Sequence, residues 1–221
     1  AHGTPGPPDP AEPARVAGAA EKMGLRHVVV TSVTRDDLPD GGAAVFAGTV
    51  KALRERIPDV SVELLIPDLR GRVEDLRTVI EARPDVLNHN LETVERLYDA
   101  VRPEAGYRRS LELLARVRGE APGLPTKSGL MLGLGERPEE VRAALQDLLD
   151  AGCRYLSIGQ YLAPSSDYAE VVAYLPPERF EFFRTAGMEM GFAYIKSSPY
   201  TRSSYMAHEY LKAKDDTQKE A

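Results

Sequence analysis

Short β-branched runs and longer helical segments alternate along almost the whole chain, and that alternation limits the fold more than any other feature. The run His27-Val28-Val29-Val30-Thr31 reads as a buried strand. Further strands are expected over 61–66, 86–87, 126–132, 154–158 and 192–195. Between them the pattern predicts helices over 14–23, 43–56, 73–82, 92–100, 109–118, 138–151 and 177–190. Pro13 and Pro138 open first turns, and Gly24 and Gly152 follow last ones.

Strands separated by helices pair in parallel through right-handed crossovers. About six of them suit either a doubly wound sheet or a partial barrel. A dinucleotide-binding sheet would carry Gly-x-Gly-x-x-Gly after its first strand. The nearest approach, Gly133-Leu134-Gly135-Glu136, lacks the third glycine. The expected fold class is therefore α/β, a partial (β/α) barrel.

Composition removes several functions. A net charge of −6 argues against nucleic acid as the main partner. No run approaches the roughly 18 apolar residues of a membrane helix, and no apolar leader opens the chain. The expected compartment is the cytoplasm, or the mitochondrial matrix in a eukaryotic host. One cysteine, Cys153, excludes an internal disulfide and an all-cysteine metal site within these 221 residues, and its apolar surroundings mark it as a small buried hydrophobe. His2, His27, His89 and His208 lack zinc-ligand spacing. The chain starts at Ala1 and not at Met, as a processed or incomplete N-terminus would.

In parallel α/β folds, ligands sit at the carboxyl ends of the strands. Those positions here collect Thr31, Ser32, Arg35, Asp36 and Asp37, then Asp68 and Arg70, then Asn88, His89, Asn90 and Glu92. Lys127 and Ser128 follow within the fourth strand, Glu136 beyond it, and Gln160 and Tyr161 at the end of the fifth. Each has an ordinary reading: Asp36-Asp37 as a helix cap, Asn88 as a turn former. Lys127 is less ordinary. An ammonium pointing into a barrel is costly unless paired, so it would want a carboxylate from a ligand or from Glu92. Near the C-terminus, Pro199-Tyr200-Thr201-Arg202-Ser203-Ser204-Tyr205 reads, on composition alone, as a solvated tail.

Ordered blocks give a further reading. Thr31-Ser32-Val33, Arg35-Asp36-Asp37-Leu38, Asp40-Gly41-Gly42-Ala43, Ile66-Pro67-Asp68 and Asn88-His89-Asn90-Leu91-Glu92-Thr93-Val94 are similar to lipoyl synthase sequences. So are Val101-Arg102-Pro103, Thr126-Lys127-Ser128-Gly129-Leu130-Met131, Gly133-Leu134-Gly135-Glu136, Gly159-Gln160-Tyr161-Leu162 and Arg202-Ser203-Ser204-Tyr205. Their order and spacing match that family from Ala1 to about Tyr210.

The resemblance implies a radical S-adenosylmethionine (SAM) partial barrel with its first strand missing over 1–196, and a tail over 197–221. It implies two 4Fe–4S clusters and SAM in the intact enzyme. One cluster, held by Cys-x3-Cys-x2-Cys, reduces SAM to a 5′-deoxyadenosyl radical, which takes hydrogen from C6 and C8 of a protein-bound octanoyl chain. The auxiliary cluster is consumed as the sulfur donor. The serine before the tyrosine of Arg-Ser-Ser-Tyr ligates that cluster, which makes Ser204 the implied metal ligand. A hydroxyl is a hard ligand among thiolates, so its iron would leave more readily.

By match and position, Thr31, Ser32, Asn88, Asn90, Glu92 and Lys127 would line the SAM side, with Lys127 on the methionyl carboxylate. Arg35, Arg102 and Gln160 would stand at the substrate rim. The partner implied is an octanoylated lipoyl carrier domain, from a 2-oxoacid dehydrogenase subunit or the glycine cleavage H protein, with the enzyme a monomer.

The departures matter too. Both cysteine motifs are absent, and Ala1-His2-Gly3 resembles the residues just past the last radical SAM cysteine. Ser197-Ser198-Pro199 stands where the family has glycine before proline, and 165–174 lacks the usual histidine-containing stretch. Without the thiolates, this chain alone is expected to be inactive. Two other readings compete: a non-catalytic barrel remnant that binds SAM or a carrier domain, and a cofactor-free barrel lyase with Lys127 as Schiff-base nucleophile. A barrel short of its first strand is expected to expose a sheet edge and to self-associate.

Overall fold

The computed structural model describes residues 5–204, 207, 209 and 210. Six parallel strands form one sheet in the order β1 to β6: His27–Thr31, Ser61–Leu65, Val86–Asn88, Thr126–Leu132, Tyr155–Gln160 and Tyr194–Ser197. Helices α1 (Glu12–Lys22), α2 (Ala43–Arg56), α3 (Val73–Glu81), α4 (Tyr98–Val101), α5 (Tyr107–Glu120), α6 (Pro138–Asp150) and α7 (Pro177–Met190) fill the connections. Strand order equal to chain order is the order of a partial barrel. It rules out the doubly wound alternative, whose strand order reverses at a switch point.

Alternation along each strand sends side chains to two separate cores. Val28, Val62, Leu64, Leu87, Leu130, Leu156, Ile158 and Ile195 pack with the helices. Val86 and Tyr155 face the other way, into the lumen, where Ala207 and Tyr210 close over them beside Val29 and Tyr194. The segment read as a solvated tail is only partly so: Thr201 is buried and Ser203 half-buried, while Tyr200, Arg202 and Ser204 are exposed. The register carries one rung across all six strands on this lumen face: Thr31, Leu65, Asn88, Lys127, Tyr155 and Tyr194.

Two predicted elements shift. The helix expected over 92–100 is a 3-10 turn, Glu95–Leu97, followed by α4. Glu92 instead forms a parallel bridge to Leu130: its N–H donates to the Gly129 carbonyl (2.8 Å), and its own carbonyl accepts from the Met131 N–H (2.7 Å). A residue tied to β4 cannot begin a helix. The strand expected at 192–195 starts two residues later, at Tyr194. Phe192 is consumed by the end of α7, donating its N–H to Gly187 and burying its ring against the helices.

Candidate functional site

The lumen holds a closed polar network built from three strands and the C-terminal segment. Lys127 on β4 donates to Glu63 on β2 (Nζ to Oε1 2.9 Å, to Oε2 3.2 Å), and both side chains are wholly buried. Asn88, on the intervening β3, donates Nδ2 to Glu63 Oε1 (2.7 Å) and to Ser203 Oγ (2.7 Å). Ser203 Oγ donates to Asn90 Oδ1 (3.1 Å), and the Ser203 carbonyl accepts from Lys127 (2.6 Å). The Tyr210 ring lies 4.0 Å from the ammonium, a cation–π contact that covers its remaining side. Burial pushes the Glu63 carboxyl up and the Lys127 ammonium down, and their mutual attraction opposes both shifts.

Lys127 thus takes its carboxylate from Glu63 and not from Glu92. The signal for Glu63 was present in the sequence, a charge between Val62 and Leu64 in an otherwise apolar strand. It was missed because the residue lies at mid-strand, away from the rim.

Glu92 stands elsewhere in the mouth. Its backbone is left-handed, φ 70°, a conformation costly to a residue with a Cβ. Burial raises its carboxyl, the Arg102 charge lowers it less, and Asn90 Nδ2 donates to it at 3.1 Å. Arg102 is fastened to the Asn90 carbonyl (3.1 Å) and to Tyr98 Oη (2.8 Å). A cavity of about 140 Å³ opens here, lined by Asn90, Glu92, Gly129, Ser157, Gln160 and Arg202 among others. The C-terminal segment forms one wall, seated where Gly159 leaves no room for a Cβ against the Thr201 carbonyl.

Gln160 borders this cavity, but its amide is spent on its own loop. Nε2 donates to the Tyr161 carbonyl (3.0 Å) and the Ala173 carbonyl (2.9 Å), and Oε1 accepts from Leu175 N–H (3.0 Å). It braces the segment after β5 and presents nothing to the rim.

Thr31, Ser32 and Arg35 lie apart from this group, around a second cavity of about 220 Å³ beside Val16, Val30 and Phe46. Thr31 and Ser32 are exposed, and Ser32 Oγ turns to the Val33 carbonyl (2.9 Å). Arg35 forks onto Asp37 (2.8 Å twice) and reaches the Gly6 carbonyl (2.9 Å). Of the predicted residues, then, the structure gathers Asn88, Asn90, Glu92, Lys127 and Arg102. It leaves Thr31, Ser32 and Arg35 at the far edge.

His89 and Cys153 are structural. His89 joins the Ile66 carbonyl and Ser110 Oγ, each at 2.9 Å, and burial lowers it to about 4. Cys153 is buried at the opposite, amino end of the strands, its thiol pushed up to about 12 by burial. Ser204 is exposed and makes no hydrogen bond to any described residue. Tyr205, His2, His208 and the Ala1-His2-Gly3 stretch lie outside the described residues.

The donor set decides which groups this chain can hold. Among the described residues no group of His, Cys, Asp and Glu could bind a metal, and the lone thiol is buried, so the described residues do not by themselves build a cluster site. The mouth cavity has room for about four or five waters, which suits the amino-acid end of SAM: Glu92 for an ammonium and Arg202 for a carboxylate. Asn88 Oδ1, buried without a partner among the described residues, is a further acceptor in the lumen. No helix of the described residues is long and apolar enough to cross a membrane.

The sequence pattern of the radical SAM superfamily matches residues 1–148. The fold agrees. The hydrogenase maturase HydG superposes with a TM-score of 0.63 at 17% identity, over 83% of this chain and 42% of that one. Streptococcus suis SuiB gives 0.61 at 10% identity, over 82% and 40%. A partial (β/α) barrel whose polar residues converge at the carboxyl ends of its strands, with this match, is a radical SAM protein.

Within that superfamily, this chain belongs to the lipoyl synthase family. It is 57% identical to the lipoyl synthase of Citrifermentans bemidjiense over 211 residues, 96% of this chain and 72% of the relative. It is 58% identical to that of Methylococcus capsulatus over 94% of this chain and 65% of the relative. The chain thus spans about two thirds to three quarters of the length of these relatives. The remnant and lyase readings gain nothing: Lys127 is sealed by Glu63, Ser203 and Tyr210 and cannot meet a carbonyl substrate.

Proposed function

We propose that this chain is the barrel and C-terminal segment of a lipoyl synthase that inserts two sulfur atoms, at C6 and C8, into an octanoyl chain on a carrier domain of a 2-oxoacid dehydrogenase subunit or the glycine cleavage H protein. The observation that carries the reading is the state of Ser204. It is exposed, and its hydroxyl has no partner among the described residues, while the hydroxyls of Thr201 and Ser203 beside it are tied down. An exposed hydroxyl held on a fixed backbone suits a residue that ligates a metal group delivered from elsewhere.

When bound, SAM beside a reduced cluster supplies hydrogen-atom abstraction from an unreactive C–H bond. The chain's own residues bind and exclude. Glu92 and Arg202 hold the two charges of the methionyl end, Asn90 orients Glu92, and Arg102 keeps the Asn90 backbone in place. The lumen network closes the barrel floor against water. The thiolates for both 4Fe–4S clusters come from outside this chain, which contributes Ser204 alone.

A chimera tests this. The present chain replaces the matching region of the Citrifermentans bemidjiense relative, and an octanoylated carrier domain is followed by mass spectrometry. The expected product gains two sulfurs, and Ser204→Ala in the chimera abolishes it. A folded chimera that leaves the octanoyl group unchanged would overturn the reading.

A further inference from the structure

Lys127 and Ser203, expected as a cofactor ligand and as part of a solvated tail, meet in the structure, where the Lys127 ammonium donates to the Ser203 carbonyl at 2.6 Å. We propose that Ser203 is a positioning residue: its hydroxyl, held between Asn88 and Asn90, and its carbonyl, held by Lys127, fix where Ser204 stands at the mouth. The functional consequence rests on the reading of Ser204 as a ligand. The seat itself does not.

Three contacts define the seat, and Glu63 braces two of the residues that make them. Asn88 Nδ2 donates to Ser203 Oγ at 2.7 Å from β3, and Oγ donates onward to Asn90 Oδ1 at 3.1 Å. Lys127 Nζ, from β4, donates to the Ser203 carbonyl at 2.6 Å. Glu63, from β2, holds Lys127 and Asn88 in turn. With the hydroxyl and the carbonyl of one residue both captured, the peptide plane between Ser203 and Ser204 has little freedom left, so the next side chain leaves in one direction.

The approach to Ser203 is fixed as well. Ser198 Oγ and Thr201 Oγ1 share a hydrogen bond at 2.9 Å, Arg202 caps the Thr201 carbonyl at 2.7 Å, and that carbonyl rests on the bare Cα of Gly159. Ser204, by contrast, is exposed. A solvated tail would not need a buried ion pair beneath it. A ligand that must meet a group arriving from another part of the protein gains from being preoriented, because the ordering cost is met before binding.

Seating is measured directly in the full chain. A nitroxide is placed on Ser204→Cys, with the buried thiol removed by Cys153→Ala, and its spectral line shape reports local motion. In the parent background the label is expected to be largely immobile. Ser203→Ala should shorten its rotational correlation time several-fold with the thermal midpoint of the barrel nearly unchanged. Ser203→Thr, which keeps the hydroxyl, should restore the immobile spectrum. Asn90→Ala should mobilise the label as well, by a second route that leaves residue 203 intact. A label equally immobile in Ser203→Ala and Asn90→Ala would overturn the proposal. Because no metal enters this measurement, an inactive seat and an inactive ligand are told apart. A mobile label in Ser203→Ala together with an active Ser204→Ala chimera would sink only the ligand reading.

Discussion

Lys127 Nζ and the Glu63 carboxylate meet at 2.9 Å although their strands are not neighbours, since β3 lies between β2 and β4. Alternate strands are about 10 Å apart, a span that only two long side chains reaching across the lumen can close. Asn88 on the middle strand fills the gap beneath them by donating to Glu63. The pair therefore ties three strands and the Ser203 segment into one unit.

A buried pair of this kind costs more to break than to replace. Lys127→Met alone strands a buried carboxylate, and Glu63→Gln alone strands an ammonium. Each single variant is expected to lose about 3–5 kcal/mol in urea unfolding. The double variant Glu63→Gln/Lys127→Met should recover most of that loss. A loss in the double variant equal to the sum of the two single losses would show that the two residues act independently.

The left-handed backbone at Glu92 separates binding from stability. Glu92→Ala and Glu92→Gly both remove the carboxylate facing the mouth cavity, but only glycine adopts this conformation without penalty. The glycine variant is expected to be about 1 kcal/mol more stable than the alanine variant. Both should bind SAM at least tenfold more weakly than the parent in isothermal titration. Parent-like affinity in either variant would remove Glu92 from the site.

Much of this architecture was legible beforehand, because β-branched runs, prolines at first turns and the polar rims each have a local cause. The parallel barrel and most strand positions follow from those alone. The helix expected at Glu92 failed for a non-local reason: two backbone hydrogen bonds to β4 outweigh helical spacing. The C-terminal segment failed in the same way. Nothing near Ser203 in the sequence announces that its partners are Asn88, Asn90 and Lys127, which lie 115, 113 and 76 residues away. Glu63 was hidden by its position, since carboxyl-end reasoning does not look at the middle of a strand.

His89 sets a pH dependence with a defined sign. Its ring is neutral and buried, and its folded pKa is about 4 against 6.5 for the free group. Between those values the unfolded chain binds the proton and the folded chain does not, so stability falls as pH drops from 6.5 towards 4. At about 1.4 kcal/mol per pH unit, the full window is worth about 3 kcal/mol. His89→Gln should flatten this part of the stability–pH curve. A curve of unchanged slope in the variant would assign the acid sensitivity to other groups.

Gly133 and Gly135 offer a controlled comparison at the end of β4. Both have positive φ, 102° and 94°, so alanine at either position carries the left-handed penalty. They differ in their surroundings. A Cβ at Gly135 would meet Val172 at 3.4 Å, an ordinary contact, whereas one at Gly133 would collide with the Gln160 amide and the Ala173 carbonyl. Those two groups, with the Gly133 carbonyl accepting from Val172 and Ala173 N–H, are what pin the segment after β5. Gly135→Ala is expected to cost about 1 kcal/mol, in line with the backbone penalty. Gly133→Ala should cost several times more and release the pinned segment, letting chymotrypsin take up the backbone at the already exposed Tyr168 and Tyr174 well below the global unfolding transition. Equal costs and equal cleavage rates in the two variants would show that the Gln160 brace holds nothing.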